Sequence, residues 1–390
     1  MKDLFRYELK KLFTKRFLFV VILILLCANA FNIYNTYDKY HKNYNRDYFE
    51  AKWQIYKLAE GELTQDRINT LLDYKNKLLI SAETGIPLES YYINHNGDLY
   101  ITEEILQKIK SAYQYSEKID ELLEINDMQK TVLTNVDNDY LFKEALLIEK
   151  TYSQRNIDSI YNTEAFGTYF SYDFSSFLIL MIIFLGTASL FSGEKEMGML
   201  SVIRSSKNGR IKLSVAKQTA AVVYTFFVSI VFFVCDFLMF LYCLRLRGIF
   251  SPVYAISSFE YTPLNISVCG FLLLTCTIKI FGFIIFSLIS SVLSSVFDKS
   301  YMVFAADFMV ILLLMFMSAY SSQMLDYINI INPVNLLTNR NLFAEFNVIN
   351  IIGAPVFKNV IVIIGSILLA IALSVTVCLL NNANSRRKAK

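Results

Sequence analysis

The sequence predicts an all-α polytopic membrane protein: six transmembrane helices, with a mainly helical extracellular domain carried between the first two. Three observations predict it. The composition is that of a membrane protein, with 55% hydrophobic residues, only five prolines and a mean hydropathy of +0.41. Six apolar runs are each long enough, at about 18 residues, to cross about 30 Å of hydrocarbon as a helix. Lys and Arg are distributed unequally between the segments that join those runs.

The runs fall at residues 17–34, 174–191, 220–243, 266–289, 301–317 and 360–380. Orientation follows because positive charge is retained on the cytoplasmic side of a membrane. Residues 1–16 hold six basic residues, 193–217 six, 297–300 one and 381–390 four. The opposite face has Arg245, Arg247, Arg340 and Lys358. Both termini are therefore expected in the cytoplasm, with residues 36–173 outside a cell membrane. That segment carries 15 basic and 24 acidic residues, a net of −9, against +12 for the remainder. Its acidity suits cationic ligands, or simply solvates a surface.

Each element then has a local reason. In residues 1–16, Phe5, Leu9, Leu12 and Phe13 form one helical stripe with Lys2, Lys10 and Lys11 elsewhere, the pattern of a cytoplasmic interfacial helix. Ala28-Asn29-Ala30 has the small-x-small form of a signal-peptidase site, but the apolar run continues through Phe31, Ile33 and Tyr34. An uncleaved anchor at 17–35 is expected. The segments at 48–80 and 103–150 have few breakers and repeat apolar residues at helical spacing, for instance Ile68, Leu71 and Leu72. Between them, Tyr91-Tyr92-Ile93 and Leu99-Tyr100-Ile101 flank Asn94-His95-Asn96-Gly97-Asp98, which predicts a small β-hairpin. All six cysteines lie in apolar runs, so no disulfide framework is expected. Residues 174–390 supply the other five spans. In them Pro333, Leu336, Leu337 and Phe343 mark, within 320–357, either an amphipathic segment dipping into the outer interface or an ordinary solvated loop.

The chemistry that is missing narrows the function. His41 and His95, the only histidines, are both outside the runs, so no His-based metal or acyl-transfer site forms at membrane depth. No GxxxxGK[ST] phosphate loop occurs, and the basic residues lie along membrane flanks instead of forming a nucleic-acid surface. No metal, no resident cofactor, no enzymatic activity and no nucleic acid are expected on this chain. The exceptional residues are charges inside the runs: Asp236, Lys279 and Asp307. Each costs about 2.5–3.5 kcal/mol at the bilayer centre, so partners or a water path are expected. At about 1.5 Å per residue from the cytoplasmic ends, Asp236 and Lys279 lie about 24 and 28 Å up and Asp307 about 14 Å. Asp236 with Lys279 is the preferred pair, either as a structural ion pair or as a substrate contact.

The six runs, the basic amphipathic start and the stretch LFSGEKEMGMLSVIRSSKNGRIKLSVAK at 190–217 resemble the membrane subunit of type-2 ATP-binding-cassette exporters. In that family the second span ends in a Glu-x-x-x-Gly element followed by a hydrophobic turn, a Ser/Arg element and a Lys entering the third span. Glu194, Glu196, Gly198, Met199, Leu200, Arg204, Arg210 and Lys217 occupy comparable places. The Asn332-Pro333 element is similar to the family's outer re-entrant segment. The large segment between the first two spans is a departure from the many members that have a short loop there.

The resemblance implies a permease that works with a second permease copy or relative. It also implies two cytoplasmic ATPase subunits, which hold the ATP and magnesium. Residues 193–217 would include a coupling helix in which Glu194, Glu196, Arg204 and Arg210 touch the ATPase and Met199 and Leu200 anchor it. Peptides, amphiphilic drugs and lipid-like molecules are the expected substrate classes. The competing class is a non-transporting membrane receptor or assembly factor whose outer domain senses a ligand.

Overall fold

The computed structural model describes residues 2–14, 16–43, 46–86, 88, 91–133, 139–199, 211–319 and 329–387. Among them are six helices long and apolar enough to cross a membrane, the architecture of a multi-pass membrane protein. In chain order the helices are α1 (Lys2–Phe13), α2 (Arg16–Asn43), α3 (Arg46–Ala59), α4 (Gln65–Thr84), α5 (His95–Leu133), α6 (Asp139–Tyr152), α7 (Glu164–Phe170), α8 (Phe174–Thr187) and α9 (Ser192–Glu196). They continue as α10 (Ile211–Leu244), α11 (Val268–Val296), α12 (Ser300–Ala319), α13 (Val334–Leu337), α14 (Arg340–Phe343) and α15 (Lys358–Arg387). We call the face of the bundle that carries α1 and α9 basal, and the face that carries α3 to α6 distal.

The bundle is organised around its second span. The second, Glu164–Glu196, is 72% buried over its apolar stretch, against 17% for the first, fifth and sixth. Phe17, Phe19, Leu23 and Ile24 on α2, and Met309 and Phe316 on α12, are exposed, as lipid-facing residues are. Close approach needs small residues: a Cβ on Gly186 would come within 2.5 Å of the Tyr224 ring, and one on Gly282 within 3.0 Å of Leu336 and Leu337. The described part of helix α10 starts at Ile211, nine residues before its apolar run, and α1 packs on α10, with Phe13 against Tyr224 and Phe227. Leu12 of α1 is buried in the bundle core, with Phe5 and Leu9 packed against it. The stripe on α1 thus covers protein.

The distal domain is built from α3, α4, α5 and α6, with Ile55, Leu71, Leu78, Ile101, Ile105 and Ile109 in its core. Gly61–Glu62 (β1) pairs antiparallel with Ser159–Ile160 (β2) and closes the domain's entry against its exit. The hairpin expected at 91–101 does not form. Asn94 caps α5 by accepting from the Gly97 N–H at 2.7 Å, and the buried Asp98 carboxylate accepts from the Tyr92 and Ile93 N–H groups at 2.8 and 3.0 Å. Asn and Asp serve helix starts as readily as turns, so the same residues nucleate a helix here. A hairpin occurs later, where Val348–Ile351 (β3) pairs with Ala354–Phe357 (β4) across Ile352-Gly353. Both turn residues have positive φ, 51° and 77°, as a type I′ turn requires.

The expected re-entrant segment therefore divides. Within it, α13 and α14 wedge into the bundle with Leu336, Leu337 and Phe343 buried, and β3–β4 packs on α6. Residues 320–328 lie outside the described residues.

Tyrosines fasten the domain to the distal loop between α10 and α11. The rings of Tyr115 and Tyr254 stack at 5.4 Å, and the Arg155 guanidinium lies 4.3 Å from the Tyr152 ring and 5.0 Å from that of Tyr254. Tyr152 donates to the Tyr261 carbonyl at 2.8 Å, Tyr254 to that of Asn156 at 3.0 Å, and Tyr115 to that of Glu260 at 3.2 Å. Burial pushes the Tyr152 hydroxyl up to about 12 and raises those of Tyr115 and Tyr254.

Two outcomes are expected. Gly186→Ala overpacks the contact with Tyr224 and costs about 1–3 kcal/mol, read as a lower midpoint of thermal unfolding in detergent. The raised tyrosine pKa values favour the neutral hydroxyls in the folded state, so their stabilisation is complete below about pH 10 and is lost as pH rises towards about 12. Limited proteolysis of residues 36–173 should stay constant from pH 6 to 9 and accelerate above pH 10. A uniform rate across both ranges would count against this interlock.

Candidate functional site

The second span ends in a short helix, α9, whose three charged residues point in three directions. Helix α9 ends because Gly198 adopts φ +69°, with the Met199 N–H bonded back to the Glu194 carbonyl at 3.1 Å. Successive helical residues are about 100° apart, so Glu194, Lys195 and Glu196 reach different neighbours.

Glu194 lies 2.5 Å from Lys217 on α10 and 3.7 Å from Lys11 on α1. Lys195 donates to the carbonyls of Ser295, Val296 and Phe297 at 2.8, 3.2 and 2.9 Å, placing a cation on the C-terminus of α11. Glu196 accepts from the Ser300 N–H at 2.7 Å and its hydroxyl at 3.2 Å, capping the N-terminus of α12. Three consecutive residues thus join the basal ends of α1, α10, α11 and α12 to the end of the second span.

Lys217 has no exposed side-chain surface. Besides Glu194, it donates to the Leu190 carbonyl at 2.6 Å, and its ammonium stands 4.8 Å from the Phe191 ring. Glu8 of α1 is buried in the same cluster, with Oε2 lacking a hydrogen-bond partner. Burial raises its pKa, against the opposing pull of Lys217 and Lys11.

These contacts place the predicted residues. Glu194 and Lys217 are turned inward by their mutual attraction, with side chains 8% and 0% exposed. Glu196 is engaged in capping α12. Met199 remains available, 51% exposed, beside Met197, 59% exposed. Leu200, Arg204 and Arg210 lie outside the described residues.

The intramembrane charges pair differently from expectation. Lys279 forms its ion pair with Asp173 at the start of α8, 3.0 Å away. A lysine stem is long enough to carry its ammonium towards the distal interface, where Asp173 lies. Asp236 accepts from the Asn29 amide, and Asn29 in turn accepts from Tyr172 at 2.8 Å. Asp236 and Lys279 both line a small cavity of about 30 Å³, room enough for a water between polar groups. Asp307 accepts from Ser290 at 2.7 Å, and Ser290 lies 2.9 Å from the Thr187 hydroxyl. One turn on, Ser294 accepts from the N–H groups of Phe191 and Ser192 at 3.0 and 3.1 Å and donates to the Ala188 carbonyl at 2.7 Å. A serine seam therefore joins α8, α11 and α12.

Glu8, Asn29 and this seam were missed by sequence reasoning. The seam had a signal: serines at 287, 290, 291, 294 and 295 repeat at helical spacing within an apolar run. Asn29 was read only as part of a cleavage motif. Among the described residues, no cluster of three or more His, Cys, Asp or Glu side chains is arranged to hold a metal.

The pair at the centre of the basal cluster gives a direct test. Lys217→Met leaves Glu194 and Glu8 without their buried cation and is expected to cost about 3–5 kcal/mol. Adding Glu194→Gln removes the stranded carboxylate and should restore part of that loss. Thermal unfolding of the single and double variants measures the coupling, and simple additivity would rule the pair out. In comparisons of the sequence with known proteins, no family model matches and no curated protein matches.

Proposed function

We propose that this chain is the permease subunit of an ATP-driven exporter of the type-2 ATP-binding-cassette class. It would pair with a second permease and with separate cytoplasmic ATPase subunits that bind ATP and magnesium. On this reading the basal face is cytoplasmic and the distal domain extracellular, in agreement with the distribution of Lys and Arg.

The observation that carries the proposal is the Glu194-Lys195-Glu196 triplet. An ATPase pushing on a loop moves a permease only if the loop is fixed to the spanning helices, and the triplet fixes the start of this one to four helix ends. Rocking of those helices as a body then follows from displacement of the connection. Met197 and Met199, exposed just past the triplet, are adaptable apolar anchors for a docking cleft. The 200–210 connection adds Arg204, Lys207 and Arg210.

A second reading, a receptor or assembly factor that does not transport, draws on a separate observation. The distal domain is fastened to the bundle through Tyr115, Tyr152 and Tyr254, as a sensor passing a ligand signal inward requires.

The two readings separate on one experiment. The intact chain, purified with its associated proteins, should carry an ATPase with it. Met199→Asp together with Met197→Asp should reduce that co-purification at least tenfold while leaving the unfolding midpoint unchanged. A chain that purifies free of any ATPase would favour the receptor.

A further inference from the structure

A second site lies on the opposite face. Between the domain and the distal ends of the first three spans is a cavity of about 600 Å³, within the range of small-molecule sites. Its membrane-side wall is apolar, with Ile33 from α2 and Phe240 and Leu244 from α10. The domain wall is aromatic, with Trp53, Tyr48 and Tyr100.

Charge and hydrogen-bonding capacity together select the ligand. Five carboxylates line the cavity, from Asp47, Glu50, Glu60, Glu104 and Glu164, against three cations, from Lys52, Arg245 and Arg247. Four of these carboxylates are ion-paired, Glu50 with Arg245, Glu60 with Arg247, Glu104 with Lys52 and Glu164 with Lys108. The side chain of Glu60 is only 7% exposed, and although Oε2 holds Arg247 at 2.6 Å, Oε1 is buried with no hydrogen-bond partner. Asn162 Oδ1, on the same lining, is also buried and unpartnered. Both atoms can only accept. The aromatic wall already attracts cations of the chain itself: Lys57 Nζ stands 3.4 Å from the Trp53 ring, and the guanidinium carbons of Arg245 and Arg247 at 4.4 and 5.2 Å. An anion would meet two bare acceptors and cations already engaged by carboxylates, and a purely apolar ligand would leave both acceptors unfilled.

We propose that this cavity binds an amphiphilic cation. A guanidinium or primary ammonium group donates to Glu60 and Asn162 beside Trp53, and an apolar tail lies along Ile33, Phe240 and Leu244. The inference holds whether or not the chain is a permease, because it concerns binding alone.

Trp53 is the chain's single tryptophan, so its fluorescence reports on the cavity without labelling. The full chain in lipid nanodiscs is titrated with octylguanidinium, octyltrimethylammonium and octyl phosphate. Octylguanidinium should change the emission saturably. Octyltrimethylammonium, which has the same charge but no N–H, should bind at least tenfold more weakly, and octyl phosphate should give no saturable change. Glu60→Gln should weaken octylguanidinium at least tenfold. Asn162→Leu, which leaves the Glu60–Arg247 pair in place, is the second variant and decides the matter if Glu60→Gln does not fold. A linear response to all three amphiphiles, equal saturable binding of octyl phosphate, or binding untouched by either variant would overturn the proposal.

Discussion

The Lys217 side chain has no exposed surface, so its charge is tolerable only because Glu194 stands 2.5 Å away and the Leu190 carbonyl accepts a further bond. That requirement dictates much of the basal geometry. Glu194 must point at α10, which fixes the rotation of α9. The rotation sends Lys195 to the end of α11 and Glu196 to the start of α12. Helix α1 closes the remaining side with Leu12, Glu8 and Lys11. A surface ion pair would impose none of this, because water could substitute for either partner. In a dry site the partners have no alternative.

The rule repeats deeper in the bundle on a smaller scale. Asp236, Asp307 and Lys279 are each answered by groups from a neighbouring helix: Asn29, Ser290 and Asp173. Apolar side chains pack well in many rotations of a helix, whereas these polar contacts admit one. They specify how the spans sit, while Gly186 and Gly282 set how closely.

The six spans were legible in the sequence because length and hydropathy are properties of single segments. So was the helical character of the domain. What failed was any feature that depends on a second segment. Asn94 and Asp98 read equally well as a turn or as a cap, and only the approach of Tyr74, which donates to Asp98 at 2.7 Å, belongs to one outcome. The depth of Lys279 was counted along its helix, but the reach of its side chain was not. Glu194 and Lys217 were recognised as belonging together in a motif. Their mutual burial depends on α1, Leu190 and Phe191, which the motif does not specify.

The hairpin of β3 and β4 has a mechanical consequence. Strand β4 ends at Phe357 and α15 starts at Lys358, with no linker between them, and the Lys358 N–H is tied to the Asn347 carbonyl at 2.9 Å. On its other side the hairpin packs on α6, with Phe346 against Tyr152. The sixth span therefore hangs from the distal domain as from a rigid bracket. Any tilt of the domain becomes a tilt of that helix with no slack to absorb it. The domain is thereby a lever on a part of the bundle far from it in sequence.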